Sequence, residues 1–399
     1  MLDLKKIRSD FPILNNNIVY FDNASTTQRP FGVIEAMNKF YYTCNGSVAK
    51  GLYKESVDAS KMYEEARLEV AKFIGASFEE VVFCSNATDG LNIISNSINI
   101  NEFNSSDEVV VSVLEHHSNY LPWQMFAKKN GIKLSVMKCD ADGKMRDEDL
   151  SIINSNTKIV AITYESNVLG QLSDIKKISE LAHMNGAIVV ADASQAIMHT
   201  SVNVKKDGVD ALVFSGHKMV GPLGIGVLFV DKKIHDIISP IKVGGGMVSS
   251  IEQDNVSFMP MPFCLESGTC NVAGAIGLAE AMKYIGKIGY EAIRAHEEEL
   301  MKCLISKFED DSRIRILGSI RPTDHYGVLS LDVDKWHPHD LSACLAEKDI
   351  AVRAGVHCAY PIHQYMGVTS SLRISTAFYN TLDEVEYLTD TIDNVLNMA

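Results

Sequence analysis

Between Val81 and Val230 the sequence alternates short apolar runs with segments of helical period, and this alternation restricts the fold more than any other feature of the chain. The runs at Val81–Phe83, Val109–Val113, Lys133–Lys138, Lys158–Thr163, Ala187–Ser194, Ala211–Phe214 and Ile225–Val230 read as strands. Strands that are apolar at successive positions bury both faces. The segments between them read as helices: one through about Ser97, one ending at Gly131, and one from about Asp174 to Asn185. Strands alternating with helices require a mostly parallel sheet with helices on both faces. Ligands of such sheets sit beyond the carboxyl ends of the strands. Before the sheet, Val57, Tyr63, Ala66, Val70 and Phe73 form a helical stripe ended by Gly75. After it, one long helical region over about Val272–Phe308 leads to strand-like runs at Arg313–Leu317, Gly327–Val333, Ile350–Arg353 and Leu372–Ser375. These runs and their helices predict a smaller α+β domain, whose last helix opens on the capping box Thr381-Leu-Asp-Glu384.

The chemistry concentrates in the loop between Phe214 and Ile225, which holds Ser215, Gly216, His217 and Lys218. A lysine between two buried strands is costly as a charged group, and a neutral amine or an imine removes that cost. Taken alone, SGHK also fits a loop lysine reaching solvent. Upstream, Asp192 ends another apolar run, with Gln195 just after it. A carboxylate there can keep a pyridine nitrogen protonated while the lysine holds an aldehyde, the arrangement a pyridoxal phosphate site requires; the plainer reading of Asp192 is a helix cap. Cys84-Ser-Asn-Ala-Thr-Asp-Gly90 opens a helix after a strand and fits either an anion site or ordinary capping. A free cysteine is usually a small buried hydrophobe, but in the smaller domain Cys358 sits in a loop marked by Gly355 and Pro361, where a thiol can be exposed and reactive.

ADASQA followed by FSGHK resembles the class V aminotransferases of pyridoxal phosphate (PLP) fold type I, in the cysteine desulfurase and selenocysteine lyase branch, SUF type. The resemblance covers nearly the whole chain. It implies a large domain with a mostly parallel seven-stranded sheet over residues 21–285, a small α+β domain over 286–399, and an N-terminal arm, 1–20, packed with the small domain. It implies that Lys218 carries the cofactor and Asp192 faces its ring nitrogen. Gln195, Thr88, Ala87, Ser215 and His217 join them as cofactor contacts, with Thr88, Ser215 and His217 on the phosphate. His116 would stack on the ring and assist proton transfer, with His117 the weaker candidate of the pair. Asn167, in the S-N-x-x-G turn Ser166–Gly170, would contact cofactor and substrate. Cys358 would be the nucleophile that takes the substrate's sulfur. Arg373, in SLRIS, would bind the substrate carboxylate with its planar fork, and Arg353 is a second candidate contact. Glu266-Ser-Gly-Thr269 resembles a segment whose threonine reaches the phosphate of the partner subunit's cofactor, so Thr269 implies a homodimer. Lys242–Ser250, glycine-rich but without P-loop spacing, reads as a mobile surface loop near the dimer interface.

The expected activity is conversion of L-cysteine to L-alanine with an enzyme persulfide and a sulfur-accepting protein partner, for iron–sulfur clusters or another thiolated product. A selenocysteine lyase or another class V member is the alternative enzyme. A cofactor-binding scaffold without catalysis is disfavoured by the joint presence of Lys218, Asp192, His116, Cys358 and Arg373. The formal charge of −14 argues against nucleic acid or an anionic membrane as the main partner. No run reaches membrane-spanning length, and MLDLKKIRSDF has no signal-like apolar core. Eight scattered cysteines without metal-ligand spacing point to a reducing cytosol and no metal site. The chain departs from close desulfurase relatives at Ala49-Lys50-Gly51, where they carry His-Arg-Gly, and at Cys270, where they carry proline. These departures imply a slower enzyme, or one tuned to another substrate or acceptor.

Overall fold

Consecutive apolar residues in the strands are accounted for by a sheet covered on both faces. The computed structural model describes residues 2–49, 51–99, 103–253 and 255–398, so the departure noted at Lys50 lies outside the described residues. After β1 (Val19–Tyr20), seven strands build the large sheet: β2 (Val81–Cys84), β3 (Glu108–Ser112), β4 (Lys133–Met137), β5 (Thr157–Thr163), β6 (Ile188–Asp192), β7 (Ala211–Ser215) and β8 (Gly226–Val230). Their order is β2-β8-β7-β6-β5-β3-β4, parallel except where β8 runs antiparallel to both neighbours. Alternate residues feed two separate cores. Val81, Val110, Val160, Val189, Leu212 and Phe229 pack with the helices Lys54–Ile74, Ile175–Met184 and Val272–Ile288. Val82, Val109, Ile159, Val190, Val213 and Leu228 pack with Ala87–Ser97 and His117–Asn130 on the other face. The fold class is therefore the expected one.

The smaller sheet follows. Strands β11 (Ile314–Leu317), β12 (Val328–Val333), β14 (Arg353–Gly355) and β15 (Ser371–Ser375) form an antiparallel sheet in the order β11-β12-β15-β14. Its apolar face meets Leu300, Leu304 and Phe308, and Val385, Leu388 and Ile392 of the last helix. That helix, Leu382–Leu396, starts on the Thr381–Glu384 capping box. The N-terminal segment joins this part through β1, which pairs in parallel with β13 (Ile350–Ala351).

Three boundaries differ from the sequence reading. The single long helix over Val272–Phe308 is two, Val272–Ile288 and Tyr290–Phe308, because Gly289 adopts φ +84 and breaks the ladder. The run Ile350–Arg353 is split between two sheets, since β13 serves β1 while β14 serves β15. Lys242–Ser250 is not all loop: Val248–Glu252 is β9, paired with β10 (Asn255–Phe258) in an exposed hairpin. In the stripe before the sheet, Val57 is exposed, whereas Tyr63, Ala66 and Val70 are buried.

Candidate active site

A cavity of about 350 Å³ opens where Thr163, Asp192 and Ser215 end β5, β6 and β7. It brings together Lys218, Asp192, Gln195, His116, Thr88, Ala87, Asn167, Ser215, His217, Arg353, Arg373 and Cys358, contributed by both sheets and the loops between them. Lys218 ends a tight turn, Gly216–Lys218, directly after β7. The turn is fixed by a close backbone approach: a Cβ at Gly221 would lie 2.8 Å from the Gly216 carbonyl oxygen. Its position is locked further where His217 O accepts from Thr27 N at 2.9 Å and Thr27 Oγ1 at 3.0 Å. Lys218 is half-buried and lines the cavity. Burial pushes its pKa down to about 8; Asp192 opposes that shift, and Arg373 adds to it.

Asp192 is buried and accepts from Ser194 N through Oδ1 at 2.9 Å. Gln195 donates through Nε2 to Ala24 O at 2.9 Å, tying the segment after β1 to the cavity wall. Ser215 Oγ accepts from Ala87 N at 2.8 Å, which joins the Lys218 strand to the start of helix Ala87–Ser97. Thr88 Oγ1 lies 2.7 Å from Ser118 Oγ on the facing helix start. His116 caps the helix His117–Asn130, its Nδ1 accepting from Ser118 N at 3.1 Å. The neutral ring therefore carries its hydrogen on Nε2. Burial, with Lys218 second, holds its pKa near 3, so the ring is neutral at physiological pH. His217 is likewise pushed to about 4, chiefly by burial.

Arg373 lies on β15 and is buried. Its Nη1 donates to Asn167 O at 3.0 Å, and its Nη2 to Ser25 Oγ at 2.8 Å, with Asp22 Oδ1 at 3.4 Å. Arg353 Nη1 donates to the same Ser25 hydroxyl at 2.7 Å. Two guanidinium groups therefore converge on one hydroxyl at the mouth of the cavity, an anion-binding arrangement.

Cys358 is exposed at the rim. His357 and Cys358 have φ of +49 and +54, a left-handed pair that costs about 1–2 kcal/mol per residue. The pair is pinned by three contacts. His117 N donates to Cys358 O at 2.6 Å, Asn167 Nδ2 donates to His357 O at 2.8 Å, and His357 Nε2 lies 2.9 Å from Ser371 Oγ. The thiol is thus presented by a strained turn held in place.

Two candidates fall outside this cavity. His117 does not line it: its Nε2 accepts from Tyr360 N at 3.0 Å, so it fastens the Cys358 loop. Thr269 is exposed and borders a separate cavity of about 420 Å³, with Phe40, Tyr41, Val48, Ala49 and Phe263. Behind that loop, the fully buried Arg67 makes a two-point pair with Glu266, at 2.6 and 2.8 Å. The sequence reading missed Ser25, Ser118, Glu165, Ser194 and His357. His357 lies beside Cys358, so proximity to that named loop was the available signal.

Several buried polar atoms at the cavity have no partner among the described residues: Asn167 Oδ1, Ser194 Oγ, His217 Nδ1 and Arg373 Nε. Each such atom costs about 1–3 kcal/mol, and together they mark a cavity shaped for a polar, anionic guest.

The aminotransferase class-V family model matches residues 19–388. The apo structure of a cysteine desulfurase from Thermococcus onnurineus NA1 superposes with a TM-score of 0.96 at 36% identity, covering 100% of this chain and 99% of that one. The cysteine desulfurase CsdA from Escherichia coli gives 0.91 at 32% identity, covering 100% of this chain and 99% of that one. A cysteine desulfurase of Haloferax volcanii is 35% identical over 98% of this chain and 96% of its own length.

Proposed function

The chain belongs to the aminotransferase class-V family, and from that premise we propose that it is a pyridoxal phosphate-dependent cysteine desulfurase, converting L-cysteine to L-alanine and taking the sulfur onto Cys358. The observation that carries this reading is the convergence of a lysine, an arginine pair and an exposed thiol on one cavity.

The unpartnered atoms fit the cofactor. Lys218 would hold it through its amine, Asp192 would meet its ring nitrogen, and Gln195 and Asn167 would contact the ring. Thr88, Ser215 and His217 would hold the phosphate at the start of the helix Ala87–Ser97, where the helix dipole favours an anion, with Ala87 a further cofactor contact. When bound, pyridoxal phosphate supplies the electron sink that makes the substrate Cα–H bond acidic.

The chain's own residues do the remaining work. Lys218, whose depressed pKa leaves more free amine at neutral pH than an ordinary lysine, takes the Cα proton. Arg373, with Arg353 beside it, binds the substrate carboxylate and so fixes which substrate bond faces Lys218. Lys218, once protonated, returns that proton, and His116 assists by offering a hydrogen bond from its neutral Nε2–H. Cys358, as thiolate, attacks the substrate sulfur. The Cβ–S bond breaks, an S–S bond forms, and Cβ gains a proton. One cysteine and one enzyme thiol become one alanine and one persulfide.

Thr269 does not line its own chain's Lys218 cavity, and a homodimer would give it a function by bringing it to the partner's phosphate. A sulfur-accepting protein drains the persulfide, in iron–sulfur cluster assembly or another thiolation route in the cytoplasm. No helix among the described residues is long and apolar enough to cross a membrane. Incubation with L-cysteine and a thiol reductant tests the proposal: alanine and sulfide should appear in equal amounts, and absence of alanine overturns it.

A further inference from the structure

Both chain neighbours of Cys358 are tied to one serine hydroxyl. His357 Nε2 lies 2.9 Å from Ser371 Oγ, and His363 Nε2 lies 3.0 Å from the same oxygen. His363 Nδ1 in turn lies 3.0 Å from Ala359 O. The ring His357–Ser371–His363–Ala359 therefore closes around Cys358. All four members are buried, whereas Cys358 is exposed.

Elementary rules fix where the hydrogens of this ring sit. A carbonyl oxygen only accepts, so His363 Nδ1 carries a hydrogen. Burial lowers the pKa of both histidines, that of His357 to about 2, so both rings are neutral. His363 Nε2 is then bare, and the Ser371 hydroxyl donates to it. The serine oxygen accepts from His357 Nε2–H. No other arrangement of neutral rings satisfies all three contacts. Ser371 opens β15 opposite Gly355 of β14, and Arg373 lies two residues on, on the same face, opposite Arg353. The bonds to His357 O and Cys358 O come from Asn167 and His117, in loops of the large sheet. Ser371 supplies the attachment to the small sheet.

We propose that Ser371 is a positioning residue for the Cys358 thiol: its hydroxyl closes a hydrogen-bonded ring around Cys358 and fixes the thiol relative to Arg373. The inference rests on the functional reading above, in which Arg373 holds the substrate carboxylate while Cys358 meets the substrate sulfur. The protein sets the distance between those two contacts, so a thiol turn free to shift loses sulfur transfer and keeps substrate binding. His357 and Cys358 both lie in the left-handed region, at φ +49 and +54, so a released turn has lower-energy conformations to move to.

Ser371→Ala removes the hydroxyl and leaves the strand. In the holoenzyme, persulfide formation on Cys358 in a single turnover should slow about tenfold, while the half-saturating L-cysteine concentration and the cofactor absorbance stay within about twofold. In the protein without substrate, amide hydrogen exchange over residues 356–365 should quicken about tenfold, with β12 unchanged. Ser371→Thr, which keeps the hydroxyl, should restore both. His363→Leu opens the same ring at another member and should reproduce both effects, and the double variant should cost no more than the more damaging single. If Ser371→Ala does not fold, His363→Leu decides. Unchanged persulfide formation or unchanged exchange in a folded variant overturns the proposal, as do additive losses in the double variant. Faster exchange in the variants of a parent that makes no alanine supports the ring and overturns the functional reading instead.

Discussion

The depressed pKa of Lys218 is testable without cofactor or turnover. At pH 7 a lysine with a pKa of about 8 is ~10% free amine, whereas one at the ordinary 10.5 is ~0.03%, a ratio of ~300. Brief treatment of the apoprotein with a small neutral aldehyde and cyanoborohydride alkylates free amines. Peptide mass spectrometry then reads each lysine's rate against pH. Lys218 should label well ahead of exposed lysines and show a midpoint near pH 8. Asp192→Asn supplies the sign check. Asp192 raises the Lys218 pKa, so its removal should move the midpoint lower by roughly one unit and speed labelling at neutral pH. A Lys218 midpoint equal to that of surface lysines refutes the burial argument. A midpoint raised by Asp192→Asn refutes the assigned partner.

Glu266→Ala should destabilise the fold by about 3–5 kcal/mol in denaturant unfolding, because it strands the fully buried Arg67 guanidinium; the double variant Arg67→Met with Glu266→Leu should recover much of the loss, and equal costs would contradict this. Cys358→Ala should retain the cofactor absorbance yet lose most sulfide release under saturating L-cysteine; undiminished release rejects the thiol's role. Thr269→Val should weaken cofactor retention while sedimentation still reports a dimer, and a fully loaded monomer contradicts the shared site. Restoring Ala49→His with Lys50→Arg should raise cysteine turnover, and a double variant no faster than its parent shows that these positions do not limit the rate.

The large sheet was legible because the strands that become its interior, such as Ile159–Ile162 and Ala211–Phe214, are apolar on both faces, and only a two-faced sheet buries them. Asp192 and Lys218 were legible for the converse reason, as charged groups at the ends of such runs. The break at Gly289 was not, since the flanking helices continue the same apolar period and only the positive φ separates them. The split after Ala351 depends on which partner each half meets, and β1 lies far away in sequence. Glu165 stands in a turn that reads as ordinary polar loop, and nothing local announces that both its oxygens are sealed from water. His117 stood as the weaker of the pair because adjacency alone recommended it, and the helix start sends the two rings to different places.

The proposed function turns on Cys358 receiving the sulfur of L-cysteine. The most direct measurement is mass spectrometry of the protein after one exposure to L-cysteine without reductant, followed by alkylation and peptide mapping. The peptide containing Cys358 should gain the mass of one sulfur atom, matched by one alanine released per modified chain. Alanine release with the added sulfur on another cysteine, or on none, contradicts the claim.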